Sequence, residues 1–342
     1  MSALVLRSRA LSLRLPWRLV LVNMALLVLI AALCLTDLFR GAYPISLSDL
    51  IAAFTGSADP VTKMILIDSR LPRIAAALGV GLAFGLAGEM VQTMLRNPLA
   101  SPDIIGFSAG SAAGAVFTVA FLGSSAFVVP GALAGGFAAA LLIVLLSWQR
   151  GISPGQLILI GIGVTLTLSV ITDLMMTRLD TTSAAGVMKW LVGSLNARDW
   201  SLIGLLWLGL GALGAGALWQ QFFLGRVALD EELALSLGMR PTKTRIVTLG
   251  LSVALVGLAV ATSGPLPFVA FVAGPIAHGL NGASRPTLFS AALVGAAVTL
   301  LADMASQSLP SGYALPTGVF TTLIGAPVLI IVLIAYSKRR RL

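Results

Sequence analysis

Ten runs of apolar residues, each close to the length that crosses a bilayer as a helix, follow one another along this chain. They occupy residues 19–38, 71–94, 104–122, 126–147, 156–177, 202–222, 246–262, 266–283, 287–308 and 316–336. In hydrocarbon a backbone must satisfy its own amide and carbonyl groups, so a chain of such runs folds as a bundle of helices. The spacing predicts an all-α polytopic membrane protein of about ten transmembrane helices. Composition agrees, with 58% of 342 residues hydrophobic and 10% charged, against roughly 25% charge in a soluble domain. The least defined boundaries lie between 262 and 287, where Gly264, Pro265, Pro267, Gly274 and Pro275 interrupt the pattern. The larger polar segments, 39–69, 178–200 and 223–245, are too short for a soluble domain. The chain therefore reads as a single membrane domain over 1–342.

Charge sets the orientation. An even number of crossings places both termini on one side. With the termini cytoplasmic, the inner side holds fifteen of the 22 Lys and Arg, among them Arg7, Arg9, Arg14, Arg18, Arg96, Arg150 and the run from Lys338 to Arg341. The positive-inside rule favours that arrangement. The net charge of +9 is thus spent at the ends of apolar runs, and no nucleic-acid partner is expected. The basic N-terminus precedes an apolar run with no small-residue cleavage site, which reads as a retained first helix. The single cysteine, Cys34, allows neither a disulfide framework nor a thiol metal site within the chain.

Few polar side chains fall inside the runs. Glu89, Gln92, Asp173 and Asp303 stand out, and an ionisable group facing lipid costs about 3 kcal/mol on insertion scales, so each is expected to face the bundle interior or water. Glu89 reads either as a helix-paired carboxylate or as a path-lining one, and Asp303 as a structural cap or pair. No second carboxylate or histidine stands at helical spacing from either, so no proton relay is predicted. His278 is the one histidine and reads as structural; no metal or cofactor site is expected. The glycine pairs Gly81/Gly85, Gly110/Gly114 and Gly131/Gly135 have the spacing that lets membrane helices pack closely.

The stretch MLRNPLASPDIIGFSAG (94–110) breaks this apolar pattern. Asn97, Pro98 and Pro102 end one helix and delay the next, while Ser101 or Asp103 can cap it. The turn is either a tight connection or irregular backbone lining a water-filled cavity at the cytoplasmic surface. A second break, ALDEELALSLGMRPTKTR (228–245), reads as a short cytoplasmic helix with Leu229, Leu233 and Leu237 on one face, stopped by Gly238 and Pro241. Its acidic start, Asp230 to Glu232, sets it apart from a basic helix lying on the membrane.

RLPR (70–73), GLAFGLAGEMVQTMLRNPLASPDIIGFSAGSAAG (81–114), IGIGV (160–164), EELALSLGM (231–239), GPLPFVAFVAGPIAHGLNG (264–282), LLADMASQ (300–307) and LPTGVFTTLIGAPVLIIVL (315–333) together resemble one family. It is the iron-siderophore and cobalamin (FecCD-type) permeases of ATP-binding-cassette importers, and within it the ferric enterobactin type. The resemblance covers nearly the whole chain. It implies ten helices per subunit, a second permease subunit around a central path, cytoplasmic ATPase subunits, and a soluble extracytoplasmic binding protein that delivers substrate. It further implies a cytoplasmic gate at Asn97 and Leu99, ATPase coupling at Glu232, Ala234 and Gly238, and binding-protein docking at Arg70 and Arg73. From the residues alone, those two arginines, three apart around Pro72, share a face if the helix has begun there, and interfacial anchoring near headgroups is the alternative reading. A third family arginine is Gln307 here, which weakens docking on one side or points to a non-identical second permease. VAGPIAHGLNG also departs from the family pattern, so no role is carried to it.

The chain holds no Gly-x-x-x-x-Gly-Lys-[Ser/Thr] phosphate loop, so ATP must be hydrolysed by a partner and no enzyme activity is expected of this subunit. The predicted cargo is a ferric siderophore, catecholate and enterobactin-like. Cobalamin or haem is the alternative cargo. A secondary transporter is disfavoured by the few titratable groups, and a membrane enzyme by the lack of a catalytic cluster.

Overall fold

The computed structural model describes residues 3–8, 11–41, 43–148, 153–196, 198–227, 231–282, 287–308 and 315–339. A short antiparallel ribbon comes first, β1 (Ala3–Ser8) and β2 (Leu11–Pro16), with Leu4 opposite Leu15 and Leu6 opposite Leu13. The alternation LSLRLP carries the period of a strand; it adds one local exception to an otherwise helical chain.

The helices follow. They are α1 (Trp17–Phe39), α2 (Leu47–Thr55), α3 (Pro60–Lys63), α4 (Leu71–Leu95), α5 (Phe107–Leu122), α6 (Val128–Leu146), α7 (Pro154–Met176) and α8 (Thr181–Val192). The remainder are α9 (Trp200–Val227), α10 (Glu231–Ser236), α11 (Pro241–Ser263), α12 (Val269–Asn281), α13 (Leu288–Gln307) and α14 (Thr317–Arg339). A π-helical segment, Met64–Arg70, joins α3 to α4, so that Pro60–Leu95 runs as one 36-residue element. Among the described residues seven helices are long and apolar enough to cross a membrane, and α5, α12 and α14 are shorter apolar helices. These ten elements coincide with the ten apolar runs.

The polar segments 39–69 and 178–200 contain helices that apolar length could not reveal. In α2, Ser46 accepts the Asp49 N–H through Oγ and donates its own N–H to Asp49 Oδ2, a complete capping box. Those bonds from the Ser46 hydroxyl and N–H hold the Asp49 carboxyl below its usual value. Asp180 caps α8 in the same manner, accepting the N–H groups of Thr182 and Ser183. Between α11 and α12 the chain turns through Gly264 and Phe268, both with positive φ, which is where the apolar pattern was least regular.

α4 is the centre of the molecule. It is apolar on every side, buried along almost its whole length, and packs against α9, α11, α12 and α13. Its contact with α13 is backbone against backbone, since a Cβ on Gly85 would stand 2.9 Å from Ala292 Cα and one on Gly295 would stand 3.0 Å from Gly85 Cα. The other two glycine pairs meet each other, Gly110 and Gly114 of α5 lying against Gly135 and Gly131 of α6. Small residues allow such approach where lipid offers no hydrophobic drive to helix association. By contrast α1, α7 and α9 expose large apolar side chains such as Val28, Leu159, Val170 and Leu208, a surface suited to lipid or to other membrane chains. Gly85→Ala is expected to destabilise the protein by about 1–3 kcal/mol through overpacking. Gly211→Ala, with open space around its Cβ position, should be neutral; thermal unfolding in detergent distinguishes the two.

Candidate functional site

The functional residues expected from sequence fall at the two ends of α4 and on the connection after α9. At the first end, Arg73 sits in the opening turn of α4 and its guanidinium grips Asp303 of α13 with two bonds, Nε to Oδ2 at 2.7 Å and Nη2 to Oδ1 at 3.0 Å. Arg73 Nη2 also donates to Ser306 Oγ at 3.3 Å, and Nη1 donates to Asn196 Oδ1 in the connection between α8 and α9. Asp303 is 1% exposed and is satisfied further by Thr317 Oγ1 at 2.8 Å, at the start of α14, and by Gln307 Nε2 at 3.1 Å. The carboxylate thus joins α4, α13 and α14, as a buried charge must if its desolvation is to be offset. Gln307 donates in addition to Asp37 Oδ1 of α1 at 3.1 Å.

Arg70 lies one turn earlier, at the end of the π-helical segment. Its Nη1 donates to Leu38 O at 2.6 Å and its Nη2 to Tyr43 O at 2.5 Å, closing the end of α1 onto α4. Arg70, Arg73 and Gln307 line a single surface pocket of about 300 Å³, together with Asp37, Arg40 and Tyr43. The two arginines and the glutamine that sequence placed on one docking surface therefore meet, although much of their donor capacity is used inside the chain.

At the opposite end, α4 stops at Arg96 and the chain enters the turn that holds both predicted gate residues. Asn97 Oδ1 accepts the Leu99 N–H at 3.0 Å and Asn97 O accepts the Ala100 N–H at 3.0 Å, so Asn97 and Leu99 form one folded unit, half-exposed. Ser101 caps the 3₁₀ turn Pro102–Ile105 by accepting the Asp103 N–H, and Asp103 accepts hydroxyls from both Ser101 and Ser108. Both capping candidates are therefore in use, Ser101 on the 3₁₀ turn and Asp103 as acceptor to the start of α5.

The predicted coupling segment packs against α9 and α11. Leu229 falls outside the described residues; Glu232, Leu233, Leu235 and Leu237 are exposed, and Ala234 is buried. Gly238, at φ 75°, closes α10 by donating its N–H to Leu235 O at 2.9 Å while Met239 donates to Ala234 O at 2.9 Å. This is the helix ending that favours glycine. Leu233 and Leu235 of this short helix, with Leu237 just after it, leave an apolar surface exposed.

One pairing was invisible in sequence. Glu89, buried towards the C-terminal end of α4, accepts the Thr287 N–H at 3.0 Å and lies 2.9 Å from His278 Nε2 of α12. It caps the first turn of α13 from a neighbouring helix, with Gln221 Oε1 of α9 accepting the next N–H at 3.1 Å. The partners stand 189 residues apart, so no local spacing announces them. Asp173 is exposed on α7. Among the described residues no group of three or more His, Cys, Asp or Glu is placed to hold a metal ion.

The FecCD transport family profile matches residues 26–335. The chain belongs to the FecCD transport family. FecCD relatives include the ferric enterobactin transport system permease protein FepG of Escherichia coli (strain K12), 34% identical over 88% of this chain and 91% of that protein. The achromobactin transport system permease protein CbrC of Dickeya dadantii (strain 3937) is 35% identical over 92% of this chain and 90% of its own length. Among solved structures, a metal-chelate type ABC transporter in an inward-facing conformation superposes with a TM-score of 0.82 at 29% identity, over 92% of this chain and 99% of that one. As a FecCD member the chain is a multi-pass membrane permease subunit of an ABC importer, a transport component without catalytic activity of its own.

Removing the Asp303 carboxylate leaves the Arg73 guanidinium without its counter-charge, a change that costs about 3–5 kcal/mol when the pair is buried. Arg73 is 20% exposed, so a loss near the lower end is expected for Asp303→Ala. Thermal unfolding in detergent measures it, and an unchanged midpoint would refute the pair's structural weight.

Proposed function

We propose that this chain is one of two permease subunits of an ABC importer that passes a ferric siderophore of the catecholate, enterobactin-like kind across the inner membrane into the cytoplasm. The observation that carries the reading is the family match through residues 26–335, with relatives more than 30% identical whose names are those of siderophore permeases. In this reading the chain is a single transmembrane domain with ten crossings, the seven long helices and three shorter apolar ones. Both termini are cytoplasmic, in line with fifteen of 22 basic residues on that side.

The geometry supports a division of labour along α4. The arginine-lined pocket of Arg70 and Arg73 is then the outer surface, suited by charge to acidic groups of a soluble extracytoplasmic binding protein. Gln307 in place of a third arginine fits a non-identical paralogue as the second permease, one supplying the contact this chain lacks. The Asn97–Leu99 turn then faces the cytoplasm as the gate. The exposed Leu233, Leu235 and Leu237, with Glu232 and the Gly238 ending, form the coupling surface that enters a groove of the cytoplasmic ATPase, while the buried Ala234 seats the segment on its own chain. A path that passes a large chelate needs few strong ligands, which agrees with the scarcity of titratable groups in the spans.

Energy-dependent uptake of radio-iron presented as ferric enterobactin, and of labelled cobalamin, in cells with and without the chain tests the reading. Loss of at least ten-fold in ferric enterobactin uptake, restored by the gene, is expected. Loss of cobalamin uptake alone would keep the importer and overturn its cargo. Uptake insensitive to inactivation of the ATPase would return the secondary transporter.

A further inference from the structure

The inner end of α4 is built in a way that glycine would achieve with less strain. Arg96 has φ 51° and ψ 33°, the left-handed region that a side chain disfavours. Its N–H reaches Thr93 O at 3.2 Å and the Asn97 N–H reaches Gln92 O at 3.0 Å, the paired bonds that close a helix through a left-handed residue. α10 ends with the same two bonds, but there the left-handed residue is Gly238. The fold thus makes one helix ending twice, once with the easy residue and once with arginine. What arginine adds is its side chain. Arg96 Nη2 donates to Val227 O at 2.8 Å, across 131 residues of sequence.

Val227 is the last residue of α9, and the chain enters α10 at Glu231. The carbonyls at a helix C-terminus lack intrahelical partners and carry partial negative charge, so a guanidinium there is favourable on both counts. Arg96 is at the same time covalently joined to Asn97, whose own bonds to Leu99 and Ala100 make the turn a unit. A single side chain therefore ties the carbonyl end of α9, at the root of α10, to the first residue of the 97–105 turn.

We propose that Arg96 is the positioning residue through which displacement of the α9–α10 segment is passed to the Asn97–Leu99 turn. The inference rests on the reading of these two segments as coupling surface and gate. It adds the connection between them: when the ATPase moves α10, the Val227 carbonyl moves with it and draws the Arg96 end of α4, and so the turn, along.

The test uses the complete transporter, with both permeases, the ATPase and the binding protein, in vesicles. The readout is chelate imported per ATP hydrolysed, with ferric enterobactin as probe, or whichever chelate the uptake experiment identifies. Arg96→Gly suits the left-handed backbone and removes the side chain together with its guanidinium. Assembly of the complex is expected to be unchanged while import per ATP falls at least five-fold, and Arg96→Lys, which keeps a cationic donor, should recover part of the ratio. A ratio within two-fold of the unaltered transporter in Arg96→Gly, or loss of assembly in both variants, overturns the proposal. The double variant Asn97→Ala, Leu99→Ala is measured beside it. If the double variant uncouples and Arg96→Gly does not, the link is wrong and the gate stands; if neither uncouples, the gate reading fails as well.

Discussion

Everything in this bundle depends on how closely α4 can be approached. In water a central helix is held by the hydrophobic effect, but in lipid leucine against leucine gains little over leucine against an acyl chain. Backbone contact replaces that drive. Gly81 and Gly85 meet Gly295 and its neighbours on α13, and the same solution joins α5 to α6 through two facing glycine pairs. With α13 brought this near, α9, α11 and α12 complete a sheath around a helix that has no lipid-facing side. A helix so enclosed is a fixed reference against which its ends can act.

The two ends are tied by charge, and each tie reaches several elements. At the N-terminal end of α4 Asp303 gathers Arg73, Gln307 and Thr317, so that α4, α13 and α14 share one carboxylate. Towards its C-terminal end Glu89 caps α13 and meets His278 of α12. Both carboxylates are almost wholly buried, and burial makes a paired charge costly to break. Between them lies no further ionisable residue of α4, which leaves the middle of the helix as apolar packing. Of the parts proposed for transport, the arginine-lined pocket shares Arg73 and Gln307 with the first tie, and the Asn97–Leu99 turn follows the second.

Much of this was legible in the chain. Apolar run length recovered all ten apolar helices because the bilayer fixes one dimension of every crossing. The break at 97–105 was legible through its prolines, and the stop of α10 through Gly238. Elements whose cause is local and polar were missed. α2 and α8 depend on the capping side chains Ser46, Asp49 and Asp180, inside segments that read only as polar. The pairings that build the sites were out of reach for another reason: Arg73 with Asp303 and Glu89 with His278 are separated by 230 and 189 residues. No periodicity links such positions, and only packing brings them together. Arg96 is intermediate, since its place at a helix end was visible and its left-handed backbone was not.

The central claim is that α4 stays fixed while the turn at its inner end and the segment after α9 move together. Hydrogen exchange on the complete transporter, with and without ATP, tests this directly. Amides of Ala76–Val91 and of the facing part of α13 are expected to remain the slowest in the chain in both states. Those of 97–105 and of 231–239 should change together on ATP binding. Rapid exchange along α4, or a change in 231–239 with none in 97–105, would contradict the account.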